Sequence, residues 1–273
     1  MGEVLNCEHA GCTLSYRVEG DGAPVLFIQG VGLHGDGWRP QVEGLCARYR
    51  CLSFDNRGMG LSQPVGGRLT IEQMADDVGA LLDAQGWESA HVVGHSMGGF
   101  IALQLALAHP KRVRSLVLMC TASSGRDTTR VSWPMVSIGL RAQIGSRRMR
   151  RNAFLEFVMP PAALKAADRD ALASELAVLF GHDLGVQPPV AMKQVAAMRA
   201  YDATPRLSAL STIPTLVISA EHDVIAPPRF GRAMAAALGG ARFIEIADAA
   251  HGVPIHQAEQ INALLHEHFA TVV

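Results

Sequence analysis

Residues 90–108 constrain the fold of this 273-residue chain more than any other stretch. Ala90 to Val93 is a short apolar run. Gly94-His95-Ser96-Met97-Gly98-Gly99 follows at once, and Phe100 to Ala108 has helical character. A strand that reverses into a helix through Gly-x-Ser-x-Gly holds its serine on a tight, strained turn at the carboxyl end of a sheet. Gly94 and Gly98 give that turn room, and Gly99 lets the helix pack close. His95 occupies the variable position of the motif and is assigned no chemistry.

The flanking sequence repeats the same strand-then-helix rhythm. Pro24 to Gln29, Cys51 to Phe54, Val113 to Met119, Ile213 to Ser219 and Ala241 to Ile246 read as strands buried in a parallel sheet. Thr13 to Val18 alternates and reads as an exposed edge strand, in a hairpin with Glu3 to Glu8. Helices are expected over Trp38 to Ala47, Thr70 to Ala84, Arg229 to Leu238 and Pro254 to Phe269, with Thr70 and Gln73 forming a capping box. The alternation predicts an α/β fold, a mostly parallel sheet of about eight strands with helices on both faces. Between residues 121 and 207 it stops. Ala, Met, Arg and Pro dominate there, with Pro160-Pro161 and Pro188-Pro189 as punctuation. The expected organisation is a core from residues 1–120 and 208–273, with 121–207 inserted as a helical cap.

Composition narrows the class. Hydrophobic residues make up 49%, and the net charge is −1, which argues against a nucleic-acid partner. Five scattered cysteines form neither a metal spacing nor a disulfide framework. Met1 to Asn6 has no leader character, and no apolar run is long enough to cross a bilayer. These readings favour a cytoplasmic protein with a small-molecule substrate, no metal and no membrane partner. They leave a homodimer open.

A serine hydroxyl needs a base to become a nucleophile, and the base needs an orienting carboxylate. Asp223 follows the strand ending at Ser219, and His251 follows the strand ending at Ile246. Singly, Asp223 reads as a turn aspartate and His251 as one of eleven histidines. Together with Ser96 they fall in the order and at the strand ends that acyl-transfer chemistry requires. Glu221 and Asp248 are the reserve acids.

With these residues in place, the chain resembles the α/β-hydrolases of the Ser-Asp-His type. The resemblance rests on GHSMGG (94–99), EHDVIAP (221–227), DAAHGV (248–253) and FDNRGMGLS (54–62). In the last segment Asp55 and Arg57 are expected to pair across a turn. The resemblance implies an oxyanion hole formed by the backbone amides of Met97 and Val31. Gln29-Gly30 stands where similar hydrolases often have His-Gly. No cofactor is implied.

Gly30-Val31-Gly32-Leu33-His34-Gly35 also matches a dinucleotide-binding turn, with Asp55 near the place of a ribose-binding acid. Asp36 to Pro40 interrupts the long helix such a turn should open, so this reading is set aside. Gly30, His34, Trp38, Trp133 and Phe154 are the expected substrate contacts. Cys120 reads as a buried thiol. Arg147, Arg148, Arg150 and Arg151 read as a solvated face, with a rim guiding anionic substrates as the alternative.

The expected function is hydrolysis of an ester, thioester or lactone of a small, mainly apolar substrate through an acyl-enzyme on Ser96. Cofactor-free haloperoxidase or perhydrolase chemistry and carbon–carbon bond hydrolysis remain open on the same three residues. A small-molecule sensor with an intact set is the reading from another class.

Overall fold

The N-terminal strands are β1 (Leu5–His9) and β2 (Cys12–Glu19), followed by β3 (Ala23–Ile28), α1 (Arg39–Leu45), β4 (Tyr49–Phe54) and α2 (Ile71–Ala84). Next come β5 (Ala90–His95), α3 (Met97–Ala108) and β6 (Val113–Met119). This computed structural model describes residues 2–128 and 133–272, with the side chains of 128 and 133–136 outside the description. After β6 the chain runs through α4 (Gly125–Thr128), α5 (Trp133–Gln143), α6 (Arg147–Val158), α7 (Pro161–Ala166), α8 (Arg169–Phe180) and α9 (Ala191–Ala200). It closes with β7 (Thr215–Ala220), α10 (Pro228–Leu238), β8 (Arg242–Ile246), α11 (Val253–His256) and α12 (Ala258–Ala270).

The eight strands form one sheet in the order β1-β2-β4-β3-β5-β6-β7-β8. β2 pairs antiparallel with β1 and β4, and the remaining pairings are parallel. The expected edge strand is therefore misplaced by one. β1 is the edge, and β2 is paired on both sides.

The apolar runs are continuous because both faces of the sheet are covered. Leu26, Ile28, Val92, Leu116 and Leu118 pack on one side with α2, α3 and α10. Val25, Phe27, Val93, Val117 and Met119 pack on the other with residues of α1 and α12. Neighbours in sequence thus enter different cores, as a period of two dictates.

Three local expectations need correction. Thr70 Oγ1 accepts from the Gln73 amide at 3.1 Å, but the Gln73 side chain turns to Asp77 instead of closing the capping box. Asp55 and Arg57 do not pair. Asp55 accepts from the amides of Gly35 (2.8 Å) and Leu61 (3.0 Å). Arg57, itself buried, donates to Asp77 at 2.9 and 2.5 Å and to the carbonyls of His9 and Ala10. This brace ties the β1–β2 turn to α2. The expected helix over Pro254 to Phe269 divides into α11 and α12, with Pro254 in the first turn of α11.

Helices α4 to α9 fill the interval between β6 and β7, and no strand among the described residues interrupts them. Pro161 opens α7, where its missing N–H costs nothing. Leu155, Val158, Leu164, Ala173, Leu176 and Phe180 make a separate small core for α6, α7 and α8. The arginine run stitches this segment together. Arg147 and Arg151 both bind Asp183, Arg148 binds Asp170, and Arg150 donates to the carbonyls of Gly185 and Gly145. Arg151, with the Gly185 amide and Arg147, holds the Asp183 carboxyl well below the usual carboxylate range.

Candidate active site

Ser96 joins β5 to α3 with φ 54° and ψ −120°, in the left-handed region that L-residues avoid. Three hydrogen bonds hold it there. Its amide donates to Met119 O at 2.9 Å, and its carbonyl accepts from Gly99 N (2.9 Å) and Thr121 Oγ1 (2.8 Å). A Cβ at Gly94 would lie 2.3 Å from the Gly98 carbonyl oxygen, and one at Gly98 would lie 2.1 Å from that of Ile28. The glycines are there because the turn passes against other backbone.

β7 delivers Asp223 and β8 delivers His251. His251 Nδ1 lies 2.7 Å from Asp223 Oδ2, and both residues are buried. Asp223 Oδ1 accepts from the amides of Ile225 (2.8 Å) and Ala226 (2.9 Å), and the Cys120 thiol also donates to this carboxylate. Burial pushes the Asp223 pKa up. The charge and N–H of His251 and the two amides outweigh burial and bring it below the ordinary value. An ionised Asp223 makes Nδ1 the protonated nitrogen of a neutral His251 and leaves Nε2 able to accept a proton. Burial, then the charge of Asp223, keeps Cys120 protonated. The reserve acids point elsewhere: Asp248 is 82% exposed at its side chain and Glu221 is 45% exposed.

His95, given no role from sequence, lies against His251 with ring centroids 4.8 Å apart. Its Nε2 is 2.8 Å from the His251 carbonyl oxygen, which only accepts, so Nε2 carries the proton. Burial and the neighbouring His251 charge pull its pKa down to about 3. His95 is thus kept neutral beside His251. No pattern in the chain signals this, because it depends on the loop after β8 folding back over β5.

The loop after β3 passes beside the serine turn, and a Cβ on Gly30 would lie 3.2 Å from Ser96 Cβ. Gly30 N donates to Gln29 Oε1 at 3.0 Å, so Gln29 supports its own loop. Among the described residues, no acceptor in the protein engages the amides of Val31 or Met97.

Ser96, His251, His95, Gly30 and Val31 line one cavity of about 420 Å³. Its walls are otherwise mainly apolar, with Leu33, Phe154, Phe157, Phe180, Ile225 and Ile255 among them, and among the described residues no Asp, Glu, Lys or Arg lines it. Of the expected contacts, Gly30 and Phe154 reach the cavity. Trp38 and His34 do not. Trp38 is wholly buried between Phe27 (5.2 Å) and His95 (6.3 Å). His34 stands in a separate shallow depression with Asp55, their side chains 3.8 Å apart. The Trp133 side chain lies outside the described residues, while Gly139, Ala142 and Gln143 of the same helix line the cavity. The Gly30–Gly35 segment opens a short 3-10 turn at Gly35–Trp38, and Asp55 is occupied by backbone amides, so neither serves a dinucleotide.

The family model described as alpha/beta hydrolase fold matches residues 23–256. A relative from Azorhizobium caulinodans, provisionally named a carbamate hydrolase, is 32% identical over 258 residues, covering 94% of this chain and 95% of its own. One from Mycobacterium tuberculosis, provisionally named a non-heme bromoperoxidase, is 34% identical over 273 residues, covering 95% and 98%. The crystal structure of the enol-lactonase from Burkholderia xenovorans LB400 has a TM-score of 0.80 at 29% identity, over 97% of this chain and all of that one. Sheet order, the strained serine turn and the strand-end placement of Asp223 and His251 agree with that match: the chain belongs to the alpha/beta hydrolase family.

Proposed function

We propose that the protein is a serine hydrolase cleaving an ester, thioester or lactone of a small, uncharged, mainly apolar acyl group through an acyl-enzyme on Ser96. One observation carries this reading: the Asp223–His251 pair and Ser96 converge on a cavity that no Asp, Glu, Lys or Arg among the described residues lines. A charged substrate would find no ion-pair partner among those described residues, at a cost of several kcal/mol. A cavity of about 420 Å³ suits a small molecule.

In the proposed scheme His251 Nε2 takes the hydroxyl proton as Ser96 attacks the carbonyl. The amides of Val31 and Met97 receive the oxyanion. The leaving alcohol, or thiol, departs with the proton from His251, and water activated by the same nitrogen releases the acid. Asp223 holds the tautomer and stabilises the imidazolium. The names of the relatives cover carbamates and a lactone, both of which present an acyl carbon bearing a heteroatom. Hydrogen peroxide in place of water would release a peracid, a variant that the relative named for bromoperoxidase activity supports.

The test is fluorophosphonate labelling mapped by mass spectrometry, beside ester turnover. A single adduct on Ser96, with turnover lost in a folded Ser96→Ala variant, is the expected result. Wild-type ester hydrolysis by Ser96→Ala would sink the proposal.

A further inference from the structure

Gly32, immediately after the Val31 amide, is held at both its backbone groups by side chains from the segment between β6 and β7. Its N–H donates to Gln194 Oε1 at 2.8 Å, and its carbonyl lies 2.8 Å from His182 Nε2. These partners stand 162 and 150 positions along the chain. Gln194, on α9, is fully buried, and among the described residues its Nε2 has no partner, so its polar engagement there is this bond. The His34 amide also donates to the Phe180 carbonyl at 3.3 Å. A Cβ on Gly32 would lie 3.6 Å from Pro188 and 3.7 Å from Ala191, which shows how closely the two segments pack.

The peptide on the other side of Val31 is fixed by the framework. The Gln29 carbonyl accepts from Asn56 Nδ2 at 3.0 Å, and Gly30 N donates to Gln29 Oε1. The plane carrying the Val31 N–H is thus flanked by held peptides, and among the described residues it has no protein acceptor. An oxyanion donor stabilises the transition state only if its distance is set beforehand.

We propose that Gln194 and His182 are positioning residues for the oxyanion hole: they hold Gly32, and through it the Val31 amide, at the place where the tetrahedral intermediate forms. This rests on the serine-hydrolase reading above. It makes the helical segment part of the catalytic apparatus as well as the wall of the cavity.

The test compares wild type, Gln194→Met, Gln194→Glu and His182→Ala with a p-nitrophenyl ester and with a boronic acid, which forms a tetrahedral adduct on an active serine. Gln194→Met removes the acceptor at similar volume. It should lower kcat roughly 10- to 100-fold while KM changes less than about threefold, and weaken boronate binding by a similar factor. Gln194→Glu keeps an oxygen at that position and should recover most of the loss. His182→Ala, at a half-buried loop position, should act in the same direction by about three- to tenfold. It decides the matter if Gln194→Met fails to fold. Folded variants with wild-type kcat and boronate affinity would overturn the proposal. Wild-type protein that neither takes a fluorophosphonate on Ser96 nor binds the boronate would instead remove the reading beneath it.

Discussion

His95 donates from Nε2 to the carbonyl of His251 at 2.8 Å, so the residue before the serine supports the backbone of the residue proposed as its base. Replacing it with phenylalanine keeps a ring beside Trp38 but leaves a buried carbonyl without its donor. His95→Phe should lose about 1–3 kcal/mol of stability and show a lower kcat. Urea denaturation and ester turnover read the two effects separately. A variant matching wild type in both would show that this bond does neither job.

Acid sensitivity should arise in part from histidines buried in neutral form. His91 stacks on Phe269 at 4.5 Å and bonds Ser115 Oγ at 2.8 Å, away from the cavity. Burial pulls its pKa down to about 4, against an unfolded value near 6.5. As pH falls the unfolded chain takes up this proton first. The contribution is complete above about pH 6.5 and is lost as pH falls through 4. His91→Phe should therefore flatten the decline of unfolding free energy between about pH 6.5 and 4, by the uptake of up to about one proton. Denaturation curves at several pH values check it, and an unchanged slope would assign the acid sensitivity elsewhere.

Asp223→Asn should be a severe loss with little change of shape. The Ile225 and Ala226 amides require an acceptor, so the side-chain oxygen stays with them and the amide nitrogen faces His251. Nδ1 must then accept, the proton moves to Nε2, and the base is disabled. A fall in kcat of about 10⁴-fold is expected on the precedent of the serine-protease triad, with near-native melting. An Asn variant within tenfold of wild type would mean that another group orients His251.

Two glycine substitutions should separate site from scaffold. Gly30→Ala places its Cβ 3.2 Å from Ser96 Cβ, so it should fold while slowing both turnover and fluorophosphonate labelling. Gly98→Ala meets the Ile28 carbonyl at 2.1 Å and should cost upwards of about 3 kcal/mol. Comparing melting with labelling rate for the pair checks this. A Gly30→Ala variant labelled at the wild-type rate would show that the loop gives way.

What sequence made legible follows from range. Ser96, Asp223 and His251 each come within a few residues of a buried strand end, and apolar runs locate strand ends well. The sheet was readable for the same reason, since Val25 to Ile28 or Leu116 to Met119 must be covered on both faces. The errors lie where a partner comes from far along the chain. Arg57 finds Asp77 rather than Asp55 because α2 crosses the β1–β2 turn. Trp38 reads as a pocket aromatic but packs beneath His95. His95 and Gln194 carry no local signal at all, because each acquires its partner only when distant loops close upon one another.

The two-sided hold on Gly32 bears on how proteins of this architecture diversify. Strands and inserted helices occupy separate stretches of chain, which suggests that one lineage could borrow the helices of another to change what it admits. In this molecule such a graft would also remove the grip beside Val31. New appetite and lost turnover would arrive together, and a successful exchange must carry replacements for Gln194 and His182 with it.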